Sequence, residues 1–295
     1  MNSLEKRSGN PVYKAVIYVV LIILAILSLF PFFVMVVNST RSTQEIQDHA
    51  VSLIPSSHLA NNWNVLTGKT FNPYRGFINS VIIAVGCTAL TIYFSTLTAW
   101  AIVAYEWKLK KPFFGFILAV MMIPGTITAI GFYQFMWKIG LTNNYLALII
   151  PAIAAPGTVF FMRQYMLASF PMELLDSARI DGSGEFKTFN EIALPIMKPA
   201  MATQAIFGFV GTWNQLFMPS ILLTRNDLYT MPMMVSQLKG DIYKVEYGAV
   251  YLGLTLSVLP LFIIYFSLSR YIIAGVALGS VKGEIYSLFS VFIIK

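Results

Sequence analysis

Six apolar runs govern what this chain can become. They lie at about residues 13–37, 77–105, 113–137, 145–162, 201–223 and 249–272. Each approaches or exceeds the roughly 20 residues that cross a bilayer as an α-helix. A helix satisfies its own backbone polar groups, so runs of this length predict an all-α polytopic membrane protein with six transmembrane helices. Composition agrees: 57% of residues are hydrophobic and only 11% charged, against about 25% charged in soluble domains. The first run follows Lys6, Arg7 and Lys14, is too long for a signal-peptide core, and has no small-residue cleavage site after it; it reads as an uncleaved span.

Lys and Arg are distributed unevenly about these runs. Thirteen fall on the side of Lys6, Lys108, Lys110, Lys111 and Arg179, and seven on the side of Arg41, Arg75 and Arg225. The richer side is expected to be cytoplasmic, which places both termini inside. The net charge of +7 is then a topology signal rather than a nucleic-acid footprint, and no nucleic-acid partner is expected.

Catalytic chemistry finds no footing. The histidines, His49 and His58, stand in a polar loop at 38–76 without a third ligand in register, so no metal site is expected. Gly68-Lys69-Thr70 resembles the end of a P-loop, but the position of the earlier glycine holds Trp63. Cys87 is the single cysteine. No catalytic residue and no cofactor is assigned to this chain. No Asp, Glu, Lys, Arg or His falls centrally in any run, which disfavours ion-coupled transport. Uphill transport would then draw its energy from a partner. The other reading is a self-standing secondary transporter or channel for a small polar solute.

Two stretches carry the specific signals. Trp213, Asn214 and Gln215 place amides beside an indole in the fifth run. Interhelical hydrogen bonding explains them, and so does a pathway for a hydroxyl-rich solute. Residues 170–199 hold five of the thirteen acidic residues between two apolar runs. The pattern predicts two short helices joined at Asp181-Gly182. Pro171 suits the start of the first and Glu173 its first turn. Gly182 suits a left-handed closing turn, and Ser183 suits the cap of the second helix. Phe186, Phe189 and Ala193 make its apolar stripe, and Pro195 and Pro199 mark the return to the membrane. An amphipathic loop on the membrane surface and a docking element both fit this pattern.

Asp176-Ser177-Ala178-Arg179-Ile180-Asp181-Gly182-Ser183, followed by Ile192-Ala193-Leu194-Pro195, resembles the EAA motif of ABC importer permeases. Trp213-Asn214 with Pro219, and a Tyr271 to Gly283 ending similar to the family's Gly-Ala-Val-Lys-Gly terminus, narrow the resemblance to carbohydrate-uptake permeases of the MalG-like, binding-protein-dependent kind. The sequence departs from the motif at Asp176, Ser177 and Ser183, where the family has Glu, Ala and Ala. The resemblance implies a type I importer domain over 13–283, between a cytoplasmic tail at 1–12 and an extension at 284–295. It implies a bacterial plasma (inner) membrane location. The implied partners are a second permease subunit, two ATP-binding-cassette ATPases that bind ATP and Mg, and an extracytoplasmic sugar-binding protein. It casts 170–199 as an EAA-type coupling loop, with Glu173, Asp176, Ser177, Ala178, Asp181, Gly182 and Ser183 toward the ATPase. It places Lys239, Gly240, Asp241 and Tyr243 toward the binding protein, and Gly279, Val281, Lys282 and Gly283 near the ATPase pair.

Overall fold

The structure is a computed structural model that describes residues 11–68, 71–238 and 245–267. Among these residues every regular element is helical. Five helices are long and apolar enough to cross a membrane: Pro11–Asn38, Pro73–Ala104, Leu146–Ser169, Glu185–Trp213 and Tyr247–Ser267. The chain divides into two compact units, Met1–Pro73 with Met234–Leu259, and Tyr74–Met233 with Pro260–Lys295.

In the first unit, α1 (Pro11–Asn38) buries only Val37 and Asn38. Its apolar side chains from Val12 to Phe33 stay exposed, as a helix whose solvent is lipid requires. The segment after it was expected to be loop, yet it forms α2 (Thr43–Asp48) and α3 (Leu59–Thr67). A capping box starts α2: Ser42 Oγ accepts from Glu45 N–H, and the Glu45 carboxylate accepts from Ser42 N–H. Arg41 is 6% exposed. Its guanidinium donates to Asn38 Oδ1 at 2.9 Å, His49 O at 2.8 Å and Glu45 O at 2.7 Å. A buried arginine tied to one carboxamide and two carbonyls folds this segment around itself. Lys69 and Thr70 of the P-loop-like stretch lie outside the described residues.

The second unit opens with α4 (Pro73–Ala104). The third apolar run is not one helix. It is α5 (Lys110–Met121) and α6 (Gly125–Lys138), neither long enough alone to count as a span. Pro124 is the cause: it is extended at ψ 124°, and Met122 and Ile123 close tight turns before it. The fourth run begins with α7 (Leu146–Ile149) and a 3₁₀ turn over Ile150–Ile153, and continues as α8 (Pro156–Ser169). It continues past the apolar run, which ends at 162, as far as Ser169, before Phe170-Pro171. On this extension the Arg163 guanidinium carbon lies 4.1 Å from the Phe114 ring centre. After α9 (Glu173–Ile180) comes α10 (Glu185–Trp213). The fifth span therefore starts and ends earlier than expected, and α11 (Phe217–Leu222) is separate from it.

Pro195 and Pro199 lie inside α10 rather than before it. A π turn over Phe189–Ala193 leads into Leu194-Pro195, with Leu194 N–H bonded to Phe189 O. Proline cannot donate to a carbonyl four residues back, and the wide turn accommodates that loss. The remaining helices are α12 (Met231–Gln237) and α13 (Tyr247–Ser267).

Two apolar clusters hold the second unit. One joins Trp100, Met162, Met166, Phe170, Leu175, Phe189 and Met197. Its centre is aromatic: Trp100 meets Phe170 edge-on at 5.3 Å, and Tyr93 meets Phe189 edge-on at 5.8 Å. The other joins Ile83, Cys87, Met136, Ala147, Leu222, Leu223 and Met233. Beside it, Asn79 donates to Asp227 O and Tyr229 O at 3.0 and 2.9 Å. Asn143, left-handed at φ 55°, accepts through Oδ1 from Thr224 N–H and Arg225 N–H. Such bonds satisfy the backbone of the 224–230 segment without regular structure.

Candidate functional site

The 170–199 segment is an elbow built on α9 and the first turns of α10. Pro171 stands outside α9, which starts at Glu173 after Met172. Leu175 (1% exposed) and Ala178 (5% exposed) turn into the aromatic cluster side of the unit. Glu173, Asp176, Ser177 and Asp181 are exposed on the other faces. The apolar side chains Ile180 and Phe186 also stand in the open, 86% and 69% exposed. Phe186 is therefore not part of the buried stripe, which consists of Phe189 and Ala193. A period counted from Phe186 assumes a regular helix, and the π turn shifts the register.

The turn is a Schellman closure. Ser183 N–H donates to Ala178 O at 2.9 Å and Gly182 N–H to Arg179 O at 3.1 Å, with Gly182 at φ +74°. Ser183 does not cap α10. The capping position is Gly184, and Ser183 Oγ instead meets Thr188 Oγ1 at 3.0 Å.

One carboxylate ties the elbow to its flanks. Glu185 Oε2 accepts from the Tyr105 hydroxyl at 2.6 Å, and Oε1 accepts from Arg179 Nε at 3.0 Å. The Arg179 guanidinium carbon lies 5.5 Å from the Tyr105 ring centre. Burial raises the Tyr105 hydroxyl above its usual pKa, and the Glu185 carboxylate adds to this by accepting its proton in a hydrogen bond. Three segments thus converge: the end of α4, α9 and the start of α10. Asp176 stands 4.0 Å from Arg179, a weak and exposed pairing. Glu185→Ala is expected to speed amide exchange across Glu173–Ile180 several-fold and to leave 194–213 unchanged, as measured by hydrogen–deuterium exchange. Uniform exchange in parent and variant would show that the brace holds nothing.

The second feature is a cavity of about 430 Å³ in the same unit, within the ~300–1,000 Å³ of small-molecule sites. Trp213 and Gln215 line it, as do Ser80, Thr91, Thr212 and Thr230; Asn214 does not. Among the described residues, no acidic, basic or histidine side chain is in its wall. Trp213 is 1% exposed, stacked on Phe209 at 5.7 Å and edge-on to Phe77 at 5.8 Å. Asn214 and Gln215 are exposed and stand just past the end of α10, not in mid-span as the apolar run suggested. Thr212 stands with Trp213 in the polar group of the fifth run, whereas Thr230 carries no signal in the sequence because an isolated threonine has no period. Lys239, Gly240, Asp241 and Tyr243, and Gly279, Val281, Lys282 and Gly283, lie outside the described residues.

Residues 91–278 match the family described as binding-protein-dependent transport system inner membrane component. The chain is 36% identical over 241 residues to the arabinooligosaccharides transport system permease protein AraQ of Halalkalibacterium halodurans, covering 81% of this chain and 86% of that one. It is 36% identical to the lactose transport system permease protein LacG of Rhizobium radiobacter (70% and 74% covered). It is 30% identical to the trehalose/maltose permease protein MalG of Thermococcus litoralis (77% and 82% covered). A solved bacterial ABC transporter involved in alginate import shares the fold, with a TM-score of 0.75 at 20% identity over 92% of this chain and 99% of that chain. An all-helical chain with five long apolar helices, related at this level over four-fifths of its length, belongs to the inner-membrane permease family of binding-protein-dependent ABC transporters, as a non-catalytic, multi-pass transport subunit.

Proposed function

We propose that this chain forms half of the membrane pathway of an ATP-driven importer for an uncharged di- or oligosaccharide, and that the elbow is where its ATPase engages. The observation that carries this reading is the split character of α9. Leu175 and Ala178 fasten it to the unit, while Glu173, Asp176, Ser177, Asp181 and Ile180 remain free for a partner. Exposed apolar side chains ringed by acids suit a cleft with an apolar floor and a basic rim. With the elbow in the cytoplasm, α5 and α6 together complete a sixth crossing and both termini lie inside. Two ATPases bind below, holding ATP and Mg. A second permease subunit completes the pathway, and an extracytoplasmic binding protein delivers the sugar. Glu185, Arg179 and Tyr105 would carry a displacement of α9 into α4 and α10 rather than let the turn absorb it.

The wall of the cavity favours a neutral solute. A relative in Escherichia coli is an sn-glycerol-3-phosphate permease protein. A phosphate calls for Arg, Lys or helix-terminal donors, and this cavity offers hydroxyls, an amide and an indole instead. Sugar hydroxyls exchange hydrogen bonds with such groups, and C–H faces pack on indole.

Asp176→Lys tests the coupling role. The variant is expected to reach the membrane at parental levels and to lose coupled uptake by ~10-fold or more, since a reversed charge meets the basic rim that Asp176 serves. Uptake by reconstituted transporter and co-purification of the ATPase would be measured together. Parental uptake with a full ATPase complement would remove Asp176 from the interface.

A further inference from the structure

The short loop between α4 and α5 gathers positive charge that the protein does not neutralise. It carries Lys108 and, in the first turn of α5, Lys110 and Lys111. Lys110 and Lys111 stand four and three residues before Phe114, so the three lie on one side of α5. Arg163 reaches that side from α8, its guanidinium carbon 4.1 Å from the Phe114 ring centre. The guanidinium donates to Gln164 Oε1 at 3.3 Å, a neutral acceptor. Glu106 pairs with Lys110 at 2.6 Å. Among the described residues no carboxylate pairs with Lys108, Lys111 or Arg163, whereas Arg179, Lys187 and Arg225 each have one. Like charges gathered in this way repel, and a bound anion offsets that cost. An exposed apolar stripe lies beside the cations: Leu109, Phe113 and Phe116 recur at i, i+4 and i+7. Trp107 packs on Phe113 with ring centres 5.7 Å apart and donates to Ala101 O at 3.4 Å, which ties the loop to the end of α4. The loop is on the elbow's side of the membrane, because Tyr105, two residues before Trp107, donates to Glu185.

We propose that the first turn of α5, with Lys108, Lys111 and Arg163, is a binding site for an anionic phospholipid of the leaflet on the elbow's side. The phosphate meets the cations, and an acyl chain follows Leu109, Phe113 and Phe116 along α5. The combination selects the ligand. A soluble phosphate leaves the apolar stripe uncovered, and a zwitterionic lipid brings its own cation against the lysines. Trp107 suits the level of the headgroups, where an indole keeps one end apolar and the other wet. Clustered Lys and Arg beside a membrane helix attract anionic lipid by the same physics. The site is separate from the solute cavity and independent of which solute is carried. Its position also bears on coupling. A headgroup held here steadies the loop that follows Tyr105, and Tyr105 anchors the elbow through Glu185. The permease therefore couples best in a membrane that contains anionic lipid.

The test uses the permease assembled with its ATPases in nanodiscs of phosphatidylcholine, with phosphatidylglycerol added as the anionic probe. Native mass spectrometry of the released complex measures how much of each lipid it retains. The parent is expected to prefer phosphatidylglycerol by about 30-fold or more. Lys108→Gln with Lys111→Gln removes two exposed charges that have no partner among the described residues, so the double variant should assemble as the parent does. Its preference is expected to fall by roughly 5-fold for each lysine removed. Lys198→Gln, an equal loss of an exposed charge on α10, should keep the parental preference. Excess inorganic phosphate should fail to displace phosphatidylglycerol. In proteoliposomes, coupled uptake should rise several-fold when phosphatidylglycerol is added to the parent, and should not respond in the double variant. Equal retention of the two lipids by the parent, or an undiminished preference in the double variant, would overturn the site. Displacement by inorganic phosphate would overturn the lipid in favour of a soluble anion. Loss of the ATPases from the double variant with its lipid preference intact would overturn it in favour of a protein contact. Parental uptake that ignores phosphatidylglycerol would overturn the consequence for coupling.

Discussion

Gly248→Ala is expected to destabilise the protein more than any other single-methyl addition considered, by about 3 kcal/mol or more. A Cβ at position 248 would sit 2.4 Å from Arg41 O and 2.5 Å from Asn62 Nδ2. Neither neighbour can retreat cheaply. Asn62 Nδ2 donates to Ser39 O at 2.8 Å and to Arg41 O at 2.9 Å, so the amide and the carbonyl are bonded to each other at the point of contact. The Arg41 backbone is held in turn by three side-chain bonds from its own guanidinium. Relief of the overlap would have to move α13 or break the segment that Arg41 organises. Gly253→Ala, on the same helix, is the natural control. Its Cβ would meet Leu238 Cδ1 at 3.0 Å, the end of a flexible side chain that can turn away. Thermal unfolding of the purified variants should separate them clearly, with Gly253→Ala near the parent. Equal melting of parent and Gly248→Ala would mean that the contact between α13 and the Arg41 segment is looser than described.

Gly182→Val is expected to disable the elbow while leaving the spans folded. Here no collision is involved, because a Cβ would meet nothing within 4 Å. The penalty is conformational. Gly182 holds φ +74°, where an L-residue costs roughly 1–2 kcal/mol and a β-branched one more. Moving φ to a negative value would pull Ser183 N–H from Ala178 O and unwind the end of α9. The expected order of damage is Val, then Ala, then Asn, which tolerates the left-handed region. Limited proteolysis across 180–184 would report the unwinding, and retention of the ATPase on a tagged permease would report its consequence. Resistance to proteolysis and full ATPase retention in Gly182→Val would show that the turn carries no strain the complex depends on. Together with Asp176→Lys this separates the shape of the elbow from its charge.

Much of the fold was legible because lipid is an undemanding solvent. Apolar length pointed to the five long helices, and Gly182 announced a turn through its own backbone chemistry, whereas the third run, expected as one span, breaks at Pro124. The errors fell where two signals overlapped. Pro195 looked like a boundary, although a π turn absorbs it. Ser183 looked like a cap, a role that falls to Gly184.

The sequence by itself determined an all-helical membrane chain, a polar elbow with a left-handed glycine, and the motifs that tie it to its family. These depend on residue type, spacing and local backbone preference, all of which are written along the chain. Only the tertiary structure decided which distant groups meet: Tyr105 with Glu185, Arg41 with Gly248, and Thr230 with Gln215 at one cavity wall. Hydrophobic periodicity says that a face is buried without saying against what. The partners across that face are chosen by packing, where shape and hydrogen-bond satisfaction over long sequence separations act together.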